Sequence, residues 1–357
     1  MSGVLVITTS FPRFTGDAAG HFVEAEVRAA LRSGEAVRVL AGGRPSGKPL
    51  QRPHPVQWLG ADSLFQSPGA WPRLRERPWR VLSLSLALAR VQRALARAEE
   101  EHVIVHWLVP FGLNVLLSRR LRSGRARCTL IAHGSDVRLL LRLPPLLTTR
   151  LLAAWARSGA RLRLVSGELR DELASLPGLD AQTRRWLAAS SIEPAAIEVE
   201  ARTPANQLRA RLGLSPTERC VVVLGRLIEG KRPEVALRAA ALIPNATTLV
   251  IGDGPERARL EGEFPEARFL GELPRPEALD WLAAADLLLA ASLTEGSPTA
   301  VREARALDVP VVCRRVGDLA EWAESDPQLW LLDAPGSARP NGTSHEWPHA
   351  QPREATR

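Results

Sequence analysis

Apolar positions in this chain come in short runs, each followed by a polar turn and then by sequence of helical period. VLVITTS (4–10) is the first such run, PRFTGDAAG is its loop, and a helix follows from about His21 to Ser33. Gly34 is placed to end that helix, and EAVRVLAG (35–42) resumes as a strand. The chain therefore opens as strand, loop, helix, strand, the start of a parallel, doubly wound sheet. HVIVHWL (102–108), CTLIAHG (128–134) and RLRLVSG (161–167) repeat the plan. A second series begins near Arg219 with CVVVLGRL, TTLVIGDG, ARFLGEL, DLLLAAS and VPVVCRR.

Between these series the pattern weakens. Residues 45–80 are rich in Pro, Gly and Trp and read as loop and short turns, and SSIEPAAIEVEARTPANQ (190–207) reads as a linker. The expected domains are an N-terminal Rossmann-like domain, 1–195, and a C-terminal one, 196–333. The periodic pattern stops near Leu332, and 334–357 reads as a disordered tail.

Composition narrows the classes. A chain of 357 residues can hold two cores, and 45% hydrophobic with 24% charged residues describes a soluble globular protein. The net charge of +8 is carried by arginine, since Lys48 and Lys231 are the only lysines. That balance suits anionic lipid, phosphorylated small molecules or nucleic acid. The absence of tyrosine and only seven phenylalanines weaken base stacking, although ten tryptophans keep that reading open; nucleic acid is the least expected of these partners. Three cysteines in apolar runs, without metal-type spacing, suggest the reducing cytosol. The first apolar run is too short for a signal peptide, and VLSLSLALA (81–89) falls short of the roughly 20 residues of a membrane span. A cytoplasmic location is expected.

Ligands of open α/β sheets bind beyond the carboxyl ends of the strands, and the polar motifs fall there. In TEGSPTAVREARALDVPVV (294–312), Ser297 suits an N-cap and Pro298 the first helical position. Glu295 then flanks the helix start, and Glu303 leans back toward the same end because helical side chains tilt to the N-terminus. Free amides near Thr299 and Ala300 would attract an anion. The plainer alternative is a capped helix with one solvated glutamate. In VVVLGRLIEGKRP, Arg226 and Lys231 precede a helix expected from Pro233 and could neutralise a diphosphate; Arg232 reads as a solvated neighbour. In LVIGDGPERARLE, Gly252 and Gly254 permit a tight turn with Pro255 opening the helix. The third glycine of a dinucleotide fingerprint is replaced by Arg257.

These pieces, with SFPRFTGDAAGHFVEAE, HWLVPFGL, AHGSD, LVSGELRDEL and FLGELPRPE, resemble the family-4 retaining glycosyltransferases in order and over residues 4–322. The resemblance implies the GT-B fold, two Rossmann-like domains facing across a cleft, here with a shortened C-terminal end. It implies a nucleotide-diphosphate sugar as co-substrate, no cofactor and no metal. Glu295 would contact donor-sugar hydroxyls and Glu303 the ribose, with Gly296, Ser297 and Thr299 in the same loop. Arg226 and Lys231 would hold the diphosphate, with Gly252 and Gly254 near base or ribose. Gly16 would lie by the donor phosphates, His133 would face the reacting sugar, and Asp136 would lie nearby. His106 and Trp107 are candidates for the acceptor side.

The chain departs from the family in places. Asp308 and Asp318 stand where glycine is usual, and EPAAIEVEARTP replaces the interdomain Gly-x-Asp segment. WPRLRERPWRVLSLSLALARVQRALAR (71–97) reads as an amphipathic helix with Arg90, Arg93 and Arg97 on one face. It is a candidate peripheral contact with an anionic membrane, on the inner face of the plasma membrane, or else an ordinary crossover helix. LLLRLPPLLTTRLLAAW (139–155) is a second acceptor-side candidate. The acceptor class is a glycan or a lipid-linked sugar of surface polysaccharide or glycolipid assembly. The competing readings are a truncated, non-catalytic nucleotide-sugar binder, a dinucleotide-dependent dehydrogenase and, last, a basic nucleic-acid binder with steeply salt-dependent affinity.

Overall fold

The structure, a computed structural model, describes residues 3–46, 50–65, 73, 74, 76–215 and 217–332. The chain divides into two compact units, Met1–Ala196 and Ile197–Arg357. Among the described residues the first unit holds seven parallel strands: β1 Gly3–Thr8, β2 Ala36–Ala41, β3 Val56–Trp58, β4 His102–His106, β5 Arg127–Ala132, β6 Arg161–Leu164 and β7 Ser191–Ile192. Their order is β3-β2-β1-β4-β5-β6-β7. The second unit holds β8 Arg219–Leu224, β9 Ala246–Ile251, β10 Arg268–Gly271, β11 Leu287–Ala290, β12 Val311–Arg314 and β13 Leu329–Leu332. They run β10-β9-β8-β11-β12-β13.

Side-chain alternation explains why both sheets are buried on two faces. Leu5 and Ile7 of β1 enter one core while Val4 and Val6 enter another. In β8, Cys220 and Val222 point to one layer, and Val221 and Val223 to the opposite one. Each such side chain contributes about 1.5–3 kcal/mol of burial, which is why the runs read as continuously apolar. The free thiols Cys128, Cys220 and Cys313 are packed inside, and burial raises each to about 12, so they fill space and carry no reactive thiolate.

The strands read from the sequence are present, and the differences lie at edges. The sequence between 45 and 80 contains the short edge strand β3, a turn of helix at Asp62–Phe65 and a 3-10 turn at Pro78–Arg80. The supposed linker is structured at both ends. It opens with β7, which pairs with β6, and ends in the helix Ala205–Arg211. Between them, the Asp280 carboxylate accepts from the Arg202 and Thr203 amides. β13 is a strand that the sequence pattern does not announce; it completes the far edge of the second sheet beside β12. The tail expected over 334–357 lies outside the described residues.

Each sheet reverses its strand order once, between β1 and β4 and between β8 and β11. Chains leave in opposite directions there and open a crevice at the carboxyl ends. The polar motifs of each unit collect at that point.

Candidate functional site

In the second unit, three loops meet beyond β8, β9 and β11. The glycines of the β9 loop are there for steric reasons. Gly252 has φ +135°, and a Cβ on it would lie 2.0 Å from the Gly225 carbonyl oxygen. A Cβ on Gly254 would lie 2.2 Å from the Leu227 carbonyl. Backbone bonds Gly225 N–H to Ile251 O (2.9 Å) and Leu227 N–H to Asp253 O (2.9 Å) draw the two loops this close. Pro255 does not open the helix, which runs Arg257–Glu263. Arg257 is held by Glu261 at 2.7 Å and Asp253 at 3.3 Å, so the position of the missing third glycine serves an ion pair instead.

Past β8, Arg226 is exposed on its loop, and Glu229–Lys231 forms a 3-10 turn. The next helix, Pro233–Ala240, starts at the expected proline. Arg232 caps it in the left-handed conformation at φ 48° and pairs with Glu234, so it is bound to its own helix rather than simply solvated. The Leu293 amide donates to the Gly230 carbonyl at 3.0 Å and fastens the β11 loop to this turn. Lys231 Nζ then meets Glu295 Oε1 in an ion pair. The family resemblance assigns these two groups to different parts of a ligand; here each is the other's partner.

The helix after Glu295 runs Thr299–Ala306, with Pro298 as its cap residue and no side-chain cap bond. This corrects the expected start by one position. The Ser297 hydroxyl accepts from Arg302 Nε at 2.6 Å. Arg302 also pairs with Asp318 and stacks 4.9 Å from the Trp322 ring, and burial lowers it to about 10. Asp318, one of the two departures from glycine, is therefore the anchor of that arginine. Asp308, the other, takes φ 58° and keeps the left-handed turn that glycine would supply. Gly296 lies under Gly317, where an added Cβ would come within 2.4 Å of its carbonyl oxygen.

Glu303 is not a solvated glutamate. It is 6% exposed, and its Oε1 accepts from Arg275 Nη2 at 2.6 Å. Arg275 opens the helix Arg275–Ala283 after β10 and also donates to the Glu198 carbonyl at 2.7 Å. Sequence reading misses Arg275. Pro274 and Pro276 mark a helix start at a strand's carboxyl end, but nothing in the spacing brings position 275 to position 303.

In the first unit the corresponding point gathers His106, His133 and Asp136. Asp136 is 2% exposed and accepts from the amides of Leu108 (2.7 Å), His133 (3.0 Å) and Gly134 (3.0 Å). It ties the β4 loop to the β5 loop. Burial pushes its carboxyl upward against the pull of those amides. His133 Nε2 and His106 Nδ1 are 3.0 Å apart with the rings stacked. Burial and the Arg163 charge lower His106 to about 3, and burial with His106 and Arg163 nearby holds His133 well below the usual histidine range. Both imidazoles are therefore neutral at pH 7, and one donates to the other.

Rings of Trp107 at 4.6 Å and Phe22 at 5.0 Å surround His133. Trp107 is held at φ 68°, a costly conformation for a bulky residue, and its amide donates to the Ile131 carbonyl at 2.8 Å. Behind the pair, Glu26 accepts two 2.5 Å contacts from Arg163. Gly16 has φ 88° in the turn closed by the Asp17 amide on the Phe14 carbonyl. The Asp17 carboxylate folds the rest of that loop through the amides of Arg13 and Ala19, each at 3.0 Å. The loop ends at the helix His21–Arg32, whose Phe22 reaches His133.

Residues 218–339 match the family model described as Glycosyl transferases group 1. TuaC of Bacillus subtilis (strain 168), provisionally named a teichuronic acid biosynthesis glycosyltransferase, is 33% identical over 209 residues, covering 56% of this chain and 49% of that protein. N-acetyl-alpha-D-glucosaminyl L-malate synthase of Bacillus anthracis is 25% identical over 298 residues, covering 78% of this chain and 76% of its own. The chain thus spans about half the length of TuaC. Among solved structures, Anabaena Alr3699/HepE in complex with UDP aligns with a TM-score of 0.64 at 17% identity, covering 92% of this chain and 85% of that one. WaaG, a glycosyltransferase involved in lipopolysaccharide biosynthesis, aligns with a TM-score of 0.61 at 15% identity, covering 94% and 87%. These alignments identify the fold as GT-B, two Rossmann-like units.

Proposed function

We propose that the chain, whose residues 218–339 match the family model described as Glycosyl transferases group 1, is a metal-independent, retaining glycosyltransferase. Its donor is a nucleoside-diphosphate sugar. Its acceptor is a glycan or lipid-linked sugar in surface polysaccharide or glycolipid assembly, a reading supported by the name of TuaC. The observation that carries it is the meeting of Lys231, Glu295 and the helix Thr299–Ala306 at the strand-order reversal of the second sheet. A diphosphate finds cations and an uncapped helix start there, and hydroxyls find carboxylates.

In this reading Arg226 and Lys231 stabilise the departing diphosphate, and the Thr299 end of the helix adds amide donors. Glu295, with Gly296 and Ser297 in its loop, accepts from sugar hydroxyls, and Glu303 accepts from the ribose. Gly252 and Gly254 let a base or ribose approach the backbone. Gly16 belongs to a phosphate-side loop of the first unit, and His133 is assigned to the reacting sugar, with Asp136 fixing its loop. The bond from the anomeric carbon to phosphate breaks, a bond to the acceptor oxygen forms, and the acceptor proton leaves with the nucleoside diphosphate.

The membrane contact is part of the proposal. Residues 77–97 carry Arg77, Arg80, Arg90, Arg93 and Arg97 without an acidic residue. Trp79 and Leu82 are 64% and 73% exposed. Arg90 does not join this surface, because its Nη1 donates to the Leu59 carbonyl. Residues 66–72 and 75 lie outside the described residues. The contact proposed is peripheral, at the inner face of the plasma membrane; among the described residues no helix is long and apolar enough to cross a membrane.

The test is a panel of nucleotide sugars, read as nucleoside diphosphate release in the presence of acceptor extracts. Release with one donor is expected. Binding without release for every donor and acceptor would favour a non-catalytic nucleotide-sugar binder. Binding of NAD in place of any nucleotide sugar would revive the dehydrogenase reading.

A further inference from the structure

The two carboxylates of the second unit are both ion-paired, but the pairs are built differently. Arg275 and Glu303 are deep, with side chains 19% and 7% exposed, and Arg275 is held a second time by the Glu198 carbonyl. A planar guanidinium fixed at two points is a static support. Lys231 and Glu295 are 32% and 17% exposed, and among the described residues the ammonium is held by Glu295 alone. A flexible stem carrying a compact charge can change partners without moving the backbone. The backbone here is anchored regardless, by Leu293 on Gly230 and by the contact of Gly296 with Gly317.

We propose that Glu295 and the diphosphate of the donor compete for Lys231, so that the ion pair of the free chain is exchanged when the donor binds. This rests on the reading of Lys231 as a diphosphate ligand. Lys231 turns to the phosphates, which carry more negative charge than one carboxylate. Glu295 then loses its cation, and its oxygens become free to accept from sugar hydroxyls. Recognition of the sugar is thereby conditional on the diphosphate. A free sugar meets a carboxylate already occupied, whereas a nucleotide sugar opens its own subsite. After transfer the exchange runs backward, since a freed Glu295 beside the diphosphate repels it and reclaims Lys231. Re-pairing therefore favours release of the nucleoside diphosphate.

The exchange makes a prediction opposite in sign to that for a simple binding residue. In Glu295→Gln, Lys231 has no anion to leave, so the nucleoside diphosphate binds more tightly even as sugar transfer falls. A partly exposed ion pair is worth enough to make the gain roughly two- to fivefold. The experiment titrates UDP, GDP and ADP into the full chain by calorimetry, for wild type, Glu295→Gln, Lys231→Ala and the double variant. Thermal unfolding checks that each is folded. The nucleotide that wild type binds is expected to bind Glu295→Gln more tightly and to leave it more slowly. Lys231→Ala is expected to bind weakly, and adding Glu295→Gln to it should bring no comparable gain. Wild-type binding with unchanged or weaker binding in Glu295→Gln overturns the exchange and leaves the nucleotide reading standing. Equal tightening with and without Lys231 also overturns it, because the effect would then be carboxylate repulsion alone. No binding of any of the three to wild type overturns the nucleotide-sugar reading and the exchange with it.

Discussion

At the strand ends of the first unit the two histidines are held without charge, whereas in the second unit charges are kept and matched. His106 and His133 are stacked among rings, and burial keeps both neutral. Glu26, close behind His106, is matched by Arg163 rather than by a protonated histidine. In the second unit Lys231 faces Glu295, Arg275 faces Glu303 and Arg302 faces Asp318. A neutral imidazole pair offers directional hydrogen bonds and little field. Matched pairs offer strong local charge, and the more exposed Lys231–Glu295 pair is the one a ligand can redirect. The first arrangement suits orienting a sugar, and the second suits taking up and releasing a polyanion.

The largest effect is expected at the most buried of these paired carboxylates, Glu303. Glu303→Ala leaves the half-buried Arg275 guanidinium with the Glu198 carbonyl but no counter-charge, and should cost on the order of 3 kcal/mol in denaturant unfolding. It should also weaken nucleotide binding more than about tenfold. Replacing both residues by methionine should recover part of the stability but none of the binding. Full stability in Glu303→Ala would show that the pair is not matched in solution.

The neutral pair is broken by acid. Unfolded histidines titrate near 6.5, while folded His106 sits at about 3 and His133 also lies well below the usual value. The unfolded state therefore binds more protons throughout that window. The contribution is intact above pH 6.5 and is lost as pH falls toward about 3, by a few kcal/mol in all. His106→Phe should flatten the pH dependence of the unfolding free energy between about pH 7 and pH 4. An unchanged slope would mean that the imidazoles are not held neutral.

Smaller effects separate backbone from charge. Gly252→Ala puts a methyl group against the Gly225 carbonyl at positive φ, and should cost about 2 kcal/mol by thermal or denaturant unfolding. Arg232→Ala removes a half-exposed pair with Glu234 and should cost at most about 1 kcal/mol, with less than about a twofold change in nucleotide affinity by calorimetry. A large loss of affinity there would move the diphosphate contact from Lys231 to its neighbour.

The sheets are legible in the sequence because parallel strands buried on both faces leave continuous apolar runs. β3 and β7 are not, because they are edge strands of three and two residues, too few for a pattern, and β13 is missed although its length matches strands that are legible. The positions of Lys231, Glu295 and Glu303 at strand ends are also legible, from turn and helix-start signals. Their pairing is not. Lys231 and Glu295 are 64 positions apart, and Arg275 and Glu303 are 28 apart. Local rules place a residue on an element but say nothing of which distant element lies beside it. Ser297 shows the same limit at short range. It has the composition of a cap, yet Arg302 competes for its hydroxyl.

Hydrogen exchange on the full chain, with and without the nucleotide sugar that gives turnover, tests the central claim most directly. The account predicts protection in the second unit at 225–233, 252–256 and 294–303. Protection absent from all three loops while the donor is bound would contradict it.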